Sequence, residues 1–201
     1  MKREGFTVWF TGMARSGKSS AARLVVESLR GRGLNVEFLD SARLRRELNR
    51  SLGFSREEIE TNIRRLGYEC AMLNRNGLVA IVTAVSPYRD VRDALRKEIG
   101  AFVEVYCRAP MEVLLSRDDS GLFKRAQRGE VEHVAGINAP FEEPLKPEVL
   151  LNTDTDSPEN CCAKVMATLE VLNLTERVEG STYTADEETM IKQRLRDLGY
   201  L

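Results

Sequence analysis

The apolar positions of this chain follow two rhythms that alternate along its length. Short apolar runs recur at Val8-Trp9-Phe10, Asn35 to Leu39, Leu78 to Thr83, Phe102 to Tyr106 and Glu148 to Leu151. Bounded by glycine, proline or charge, runs of this length read as buried strands. Between them apolar residues return every three or four positions, the spacing of a helix with one buried face. Ser20 to Val26 opens such a helix, which Gly31 or Gly33 can close. Ala42 to Arg50 predicts a short helix, with Arg43, Arg45 and Arg46 as a largely solvated basic face. Ile59, Ile63, Leu66, Cys70 and Leu73 mark a longer one, which starts at the capping-box sequence Ser55 to Glu58 and stops at Gly77. Further helices are expected over Asp90 to Ile99, from Pro110 as first helical residue through Leu115, over Pro158 to Leu172, and after a second capping box at Thr184 to Glu187. Alternating strands and helices predict a three-layer α/β domain with a mostly parallel, five-stranded sheet.

One stretch breaks the alternation. From Arg117 to Pro147 the chain is rich in charge, glycine and proline and thin in apolar residues, the texture of a lid or binding loop. His133 within it reads as a surface residue, and Lys124, Arg125 and Arg128 share the spacing of one helical face. The expected organisation is a domain over 1–173 with a lid at about 117–147, then a linker and C-terminal helix over 174–201.

Chemistry enters at the first strand-to-helix turn. Gly12-Met13-Ala14-Arg15-Ser16-Gly17-Lys18-Ser19 has the Gly-x-x-x-x-Gly-Lys-Ser spacing of a phosphate-binding loop. The two glycines let backbone N–H groups turn inward around phosphate, Lys18 can reach the β- and γ-phosphates, and the Ser19 hydroxyl can hold Mg²⁺. With a strand before it and a helix after it, the loop indicates a P-loop kinase fold that binds ATP. Asp40 falls at the carboxyl end of the second strand, the edge where ligands sit in parallel sheets.

Composition narrows this only slightly. The 201 residues are 42% hydrophobic and 30% charged, with 30 basic and 31 acidic side chains, so the total charge points to neither nucleic acid nor an anionic membrane as a partner. Cys70, Cys107, Cys161 and Cys162 lack Cys-x-x-Cys spacing and stand far from the single His133, which argues against zinc. The N-terminal apolar run is too short to span a bilayer, and a cytoplasmic protein is expected.

Several motifs in order carry a family resemblance: the phosphate loop, LGF at Leu52 to Phe54, NIRR at Asn62 to Arg65, SPYRDVR at Ser86 to Arg92, Arg117-Asp118, GLFKRA at Gly121 to Ala126 and GINAPFEEP at Gly136 to Pro144. Over Phe6 to Leu172 the chain resembles adenylyl-sulfate kinases. The resemblance implies transfer of the γ-phosphoryl group of ATP to the 3′-hydroxyl of adenylyl sulfate, with Mg²⁺ as cofactor. It also implies a homodimer and possible association with a sulfate-activating enzyme. It places the ATP site on Gly12 to Ser19 with Arg117 at the base of the lid, and Lys18, Asp40 and Ser86 at the reacting centre. The acceptor nucleotide would meet Arg45, Phe54, Asn62, Ser86, Pro87 and Ile137, with Phe54 as one face of an adenine sandwich. Ser86 stands where the family is often assigned a phosphoserine, although in-line transfer needs only positioning and charge stabilisation.

The chain departs from the family pattern on the acceptor and lid side. Ala42 replaces a second aspartate, Ile59 an arginine, Ser120 a lysine and Val134 the second aromatic of the sandwich. Two alternatives therefore stand beside adenylyl-sulfate kinase: a kinase of the same fold with another hydroxyl acceptor, and a non-catalytic nucleotide-binding regulatory module.

Overall fold

A computed structural model describes residues 4–48, 50–177 and 185–200. Five parallel strands form one sheet in the order β2-β3-β1-β4-β5, with β1 at Thr7–Thr11, β2 at Val36–Asp40, β3 at Val79–Thr83, β4 at Phe102–Arg108 and β5 at Val149–Asn152. β1 and β3 are buried along their whole length, as their unbroken apolar runs require when both faces are covered. One face packs Val8, Phe10, Ile81 and Val105 against α1 (Lys18–Gly31) and α7 (Pro158–Val171). The other packs Trp9, Ala80 and Val82 against α3 (Arg56–Arg75) and α4 (Arg89–Ile99). Trp9 is fully buried there.

The capping box expected at Ser55 is present, with the Ser55 hydroxyl accepting from the Glu58 N–H and the Glu58 carboxylate accepting from the Ser55 N–H. Other boundaries shift for local reasons. The short helix, α2, spans Ser41–Glu47 instead of Ala42 to Arg50, because the Asp40 carboxylate caps it by accepting from the Arg43 N–H at 3.1 Å. Pro110 is the cap of α5 (Met111–Ser116) and not its first residue. β4 continues to Arg108 because β5 pairs with it from Val105 through Arg108. The capping box at Thr184 falls outside the described residues, while α8 itself runs Ala185–Asp197.

The 117–147 stretch builds a small core of its own. It contains α6 (Leu122–Gln127), whose Phe123 and Ala126 are buried with Val134, Leu114 and Ala109 against the partly buried Met13 and Ala14 of the phosphate loop. Asp118 accepts from the Phe123 N–H at 2.8 Å and from the Ser120 hydroxyl at 2.7 Å, which starts α6. Lys124, Arg125 and Arg128 remain exposed, as does His133. Parallel pairing puts Thr11, Asp40, Thr83, Arg108 and Asn152 at the same edge of the sheet, so the loops that follow each strand gather in one place.

Candidate active site

The phosphate loop leaves β1 through Gly12 at φ 144°, where a Cβ would collide with the Cys107 carbonyl oxygen and the Ser16 hydroxyl. It closes with Ser16 N–H donating to Met13 O at 3.2 Å, and Gly17 caps α1 in the left-handed conformation. Lys18 then sits at the first position of the helix. Its ammonium donates to Gly12 O at 2.9 Å, Met13 O at 2.7 Å and the Ser16 hydroxyl at 3.4 Å, so the side chain curls over the loop. Although the residue as a whole keeps partial exposure, the ammonium is enclosed by these groups. Burial lowers its pKa to about 8, against the opposing pull of Cys107 and Asp40.

Ser19, in the first turn of α1, meets Asp40 at the end of β2: the Ser19 hydroxyl lies 3.3 Å from Asp40 Oδ2. Two hard oxygens at this spacing beside a phosphate loop suit Mg²⁺, which takes few protein ligands and fills its octahedron with phosphate oxygens and water. Asp40 thus has two duties, since its other oxygen caps α2.

Arg15, Ser16, Gly17, Lys18, Ser19 and Arg117 line one cleft of about 600 Å³. Arg117 is aimed by Thr153, whose carbonyl accepts from its guanidinium at 2.7 Å. Ser20 and Ala21 of α1 also line the cleft, as do Thr153, Asp156, Pro158 and Cys161, none of which the sequence marks as a site residue. For Thr153 and Asp156 a signal was present, because Thr153 to Ser157 follows the last strand at its carboxyl end, where a ligand-facing loop is expected. The thiols bordering this region are inert: burial pushes Cys107 up to about 12 and Cys161 to about 11.

The residues expected on the acceptor side fall into three groups. Arg45 stacks on Phe54, 4.1 Å from the ring centre, while Asn62 is buried and donates to the Ser41 hydroxyl at 3.1 Å. Arg43 and Arg46 are exposed, which leaves Arg45 as the half-buried member of the basic face. Ser86 and Pro87 follow β3 and are buried. The Ser86 hydroxyl accepts from Trp9 Nε1 at 3.0 Å and donates to Thr11 Oγ1 at 2.9 Å, and its backbone is left-handed at φ 38°. Ile137 packs with the small core of the 117–147 stretch.

The adenylylsulphate kinase family model matches residues 4–152. This chain belongs to the adenylyl-sulfate kinase family. The adenylyl-sulfate kinase of Rippkaea orientalis is 43% identical over 172 residues, covering 86% of this chain and 95% of the relative. A probable bifunctional SAT/APS kinase of Sorangium cellulosum is 43% identical over 173 residues, which cover 86% of this chain and 30% of that protein. Among solved structures, the Mycobacterium tuberculosis APS kinase CysC in complex with AMPPNP and APS superposes with a TM-score of 0.78 at 37% identity, covering 84% of this chain and 99% of that one.

Within this adenylyl-sulfate kinase family member the four departures have distinct settings. Ala42 is exposed on the first turn of α2, and Ile59 packs against the core beneath α3. Ser120 is tied to Asp118. Val134, at 8% exposure, is built into the small core, whereas Phe54 is 57% exposed. Among the described residues no helix is long and apolar enough to cross a membrane.

Proposed function

We propose that the chain transfers the γ-phosphoryl group of ATP to the 3′-hydroxyl of adenylyl sulfate. The observation that carries this reading is the convergence of Lys18, Ser19 and Asp40 at one sheet edge, with the Ser19 and Asp40 oxygens 3.3 Å apart, in a chain of this family. Backbone N–H groups of Gly12 to Ser19 cradle the phosphates, and Lys18 turns from its loop carbonyls to the β- and γ-oxygens. Arg117 borders the nucleotide cleft. Ser19, with Asp40 beside it, would hold Mg²⁺, which when bound would neutralise charge on the β- and γ-phosphates.

In the transfer the acceptor oxygen forms a bond to the γ-phosphorus as the bond to the β–γ bridging oxygen breaks, and that electron pair leaves with ADP. The hydroxyl proton passes to the Asp40 carboxylate, late in a loose transfer where positioning dominates. The Ser86 hydroxyl stays within its bonds to Trp9 and Thr11, so Ser86 and Pro87 serve as a wall for the acceptor. Arg45, Phe54, Asn62 and Ile137 bind the acceptor nucleotide, and the 117–147 stretch closes over the site as a lid on the domain 1–173.

Formation of 3′-phosphoadenylyl sulfate from adenylyl sulfate and MgATP tests the reading, and its absence with a preparation that binds both ligands would refute it. One observation favours a second acceptor: Val134, the position opposite Phe54 in the resemblance, is consumed in packing. A screen of hydroxyl acceptors for ATP consumption decides between them. The protein is proposed to act in the cytoplasm as a homodimer, checked by light scattering. Association with a sulfate-activating enzyme is suggested by the fused relative of Sorangium cellulosum and is checked by co-purification.

A further inference from the structure

The C-terminal helix α8 lies beyond residue 152, where the family match stops, yet it returns to the core of the domain. Leu195 is fully buried, Arg194 Nε donates to Pro147 O at 2.9 Å, and the Tyr200 hydroxyl donates to Glu148 Oε1 at 2.7 Å. The buried Glu148 carboxylate takes three more bonds: from Arg96 Nη1 at 2.6 Å, from Arg96 Nη2 at 3.0 Å and from the Glu104 N–H at 2.6 Å. Tyr200 is the one donor in this set that comes from the tail.

From Glu148 the bonds run inward without a gap. Arg96 also pairs with Glu104 at 3.4 Å, and Glu104 accepts from Arg92 Nε at 2.7 Å. Arg92 is 1% exposed, and its other two nitrogens donate to Ser86 O at 2.6 Å and Glu142 O at 2.7 Å. Glu142 is fastened to the same turn from the other side, its N–H donating to Pro87 O at 2.8 Å and its carboxylate accepting from the Arg89 N–H at 2.8 Å. The Ser86 backbone is in a region that a side chain disfavours, and such a conformation persists only where its surroundings hold it. Arg92 supplies the hold on its backbone carbonyl, beside the side-chain bonds to Trp9 and Thr11.

We propose that the C-terminal segment is a positioning element for the acceptor nucleotide: Tyr200, just beyond the end of α8 and acting through Glu148, Arg96, Glu104 and Arg92, sets the Ser86-Pro87 wall and the Glu142 segment of the lid stretch. Two arginines and two glutamates balance in charge, so the chain of bonds can stay ionised while buried. Each member limits the orientation of the next, and the tail closes the outer end. This inference rests on the reading of Ser86 and Pro87 as part of the acceptor site.

The test is Tyr200→Phe, which removes one hydroxyl at the outer end of the network and leaves the ring in place. Lys192→Ala is the control, since Lys192 lies on α8, the helix that leads to Tyr200, and pairs with Glu188 outside the network. Tyr200→Phe is expected to raise the KM for adenylyl sulfate by about 2- to 30-fold, the range seen for substitutions along a coupled network, with the KM for ATP and the control variant unchanged. Backbone hydrogen exchange is expected to quicken at 84–92 and 140–144, far along the chain from the substitution. Faster exchange confined to 185–200, or unchanged kinetics with adenylyl sulfate, would overturn the proposal. If the wild-type chain turns over a different acceptor, the reading of function fails, while exchange at 84–92 still decides whether the tail holds the wall.

Discussion

The guanidinium of Arg45 lies 4.1 Å from the centre of the Phe54 ring and covers one face of a side chain that is 57% exposed. A cation on a ring face is attracted by the negative π-cloud, and the stacked pair offers a flat surface on the proposed acceptor side. A base placed there gains stacking energy from the aromatic or from the planar guanidinium. Base stacking on an aromatic is worth roughly 1–3 kcal/mol, so Phe54→Ala is expected to raise the KM for adenylyl sulfate by roughly 5- to 150-fold. The KM for ATP is expected to hold steady, and initial-rate kinetics with each substrate varied in turn will check the split.

Lys18 carries a pH signature. Burial lowers its pKa in the free protein to about 8, whereas phosphate oxygens favour the ammonium and raise the value when nucleotide is bound. Binding therefore takes up a proton above about pH 8, and affinity falls as pH rises from there. Calorimetric titration of ATP at pH 7 and pH 9, each in two buffers of different ionisation heat, is expected to show proton uptake at the higher pH alone. Lys18→Ala is expected to lower kcat by about 10²–10³-fold, as loss of a donor aimed at developing charge does, and to abolish the pH-dependent uptake.

The first turn of α2 has Asp40 as its cap and no acid within it, with Ala42 exposed. An aspartate at Ala42 would meet the positive end of the helix, worth about 0.3–1 kcal/mol of stability, and would add a carboxylate beside the proposed proton acceptor. Ala42→Asp is expected to raise the thermal midpoint slightly and to increase kcat with adenylyl sulfate by no more than roughly 10²-fold, since Asp40 is already in place. A steady-state rate comparison checks it, and a loss of rate would count against the assigned acceptor.

Gly136 sits at φ 85° with Met13 of the phosphate loop directly above it, so that a Cβ would run into the Met13 sulfur. Gly136→Ala is expected to destabilise the contact between the 117–147 stretch and the loop and to lower activity. Adding Met13→Ala removes the collision but leaves the left-handed backbone, which costs about 1–2 kcal/mol for a residue with a side chain. The double variant is expected to recover part of the loss, read from thermal midpoints and rates together.

Arg92 and Glu104 form an ion pair at 2.7 Å with both side chains buried. Burial pulls the Arg92 pKa down and pushes that of Glu104 up, so each charge depends on the other. Arg92→Leu leaves the Glu104 carboxylate short of its partner and is expected to cost about 3–5 kcal/mol. At roughly 2–4 °C per kcal/mol for a chain of this size, the midpoint falls by about 6–20 °C. The double variant Arg92→Leu with Glu104→Leu is expected to regain only the part that comes from the stranded carboxylate, since Ser86 O and Glu142 O still lose their Arg92 donors, as differential scanning calorimetry will record.

Local signals explain why so much of the fold was legible. The unbroken apolar runs of β1 and β3 announce strands covered on both faces, and the Ser55 capping box marks the start of α3 to the residue. The boundaries that moved did so where a distant or competing partner decided them: β5 lengthened β4, and the Asp40 carboxylate pulled the start of α2 forward. The 117–147 stretch reads as a lid or binding loop thin in apolar residues, and Phe123, Ala126 and Val134 pack a small core there with Ala109, Leu114 and, from the phosphate loop, Met13 and Ala14.

The sequence by itself determined the phosphate loop and the family, because Gly12 to Ser19 does its chemistry through neighbours in the chain and backbone geometry that glycine permits. The expected departures on the acceptor and lid side, at Ala42, Ile59, Ser120 and Val134, rest on the family resemblance read from the same sequence. Only the tertiary structure decided that Ser19 meets Asp40, that Thr153 aims Arg117, and that Tyr200 at the far end of the chain bonds to Glu148 in a network that reaches Ser86. Those contacts join residues 21, 36 and 52 positions apart, and farther through the network. No local pattern encodes them, since each is made where the parallel sheet and its covering helices bring separate strand ends and the tail together.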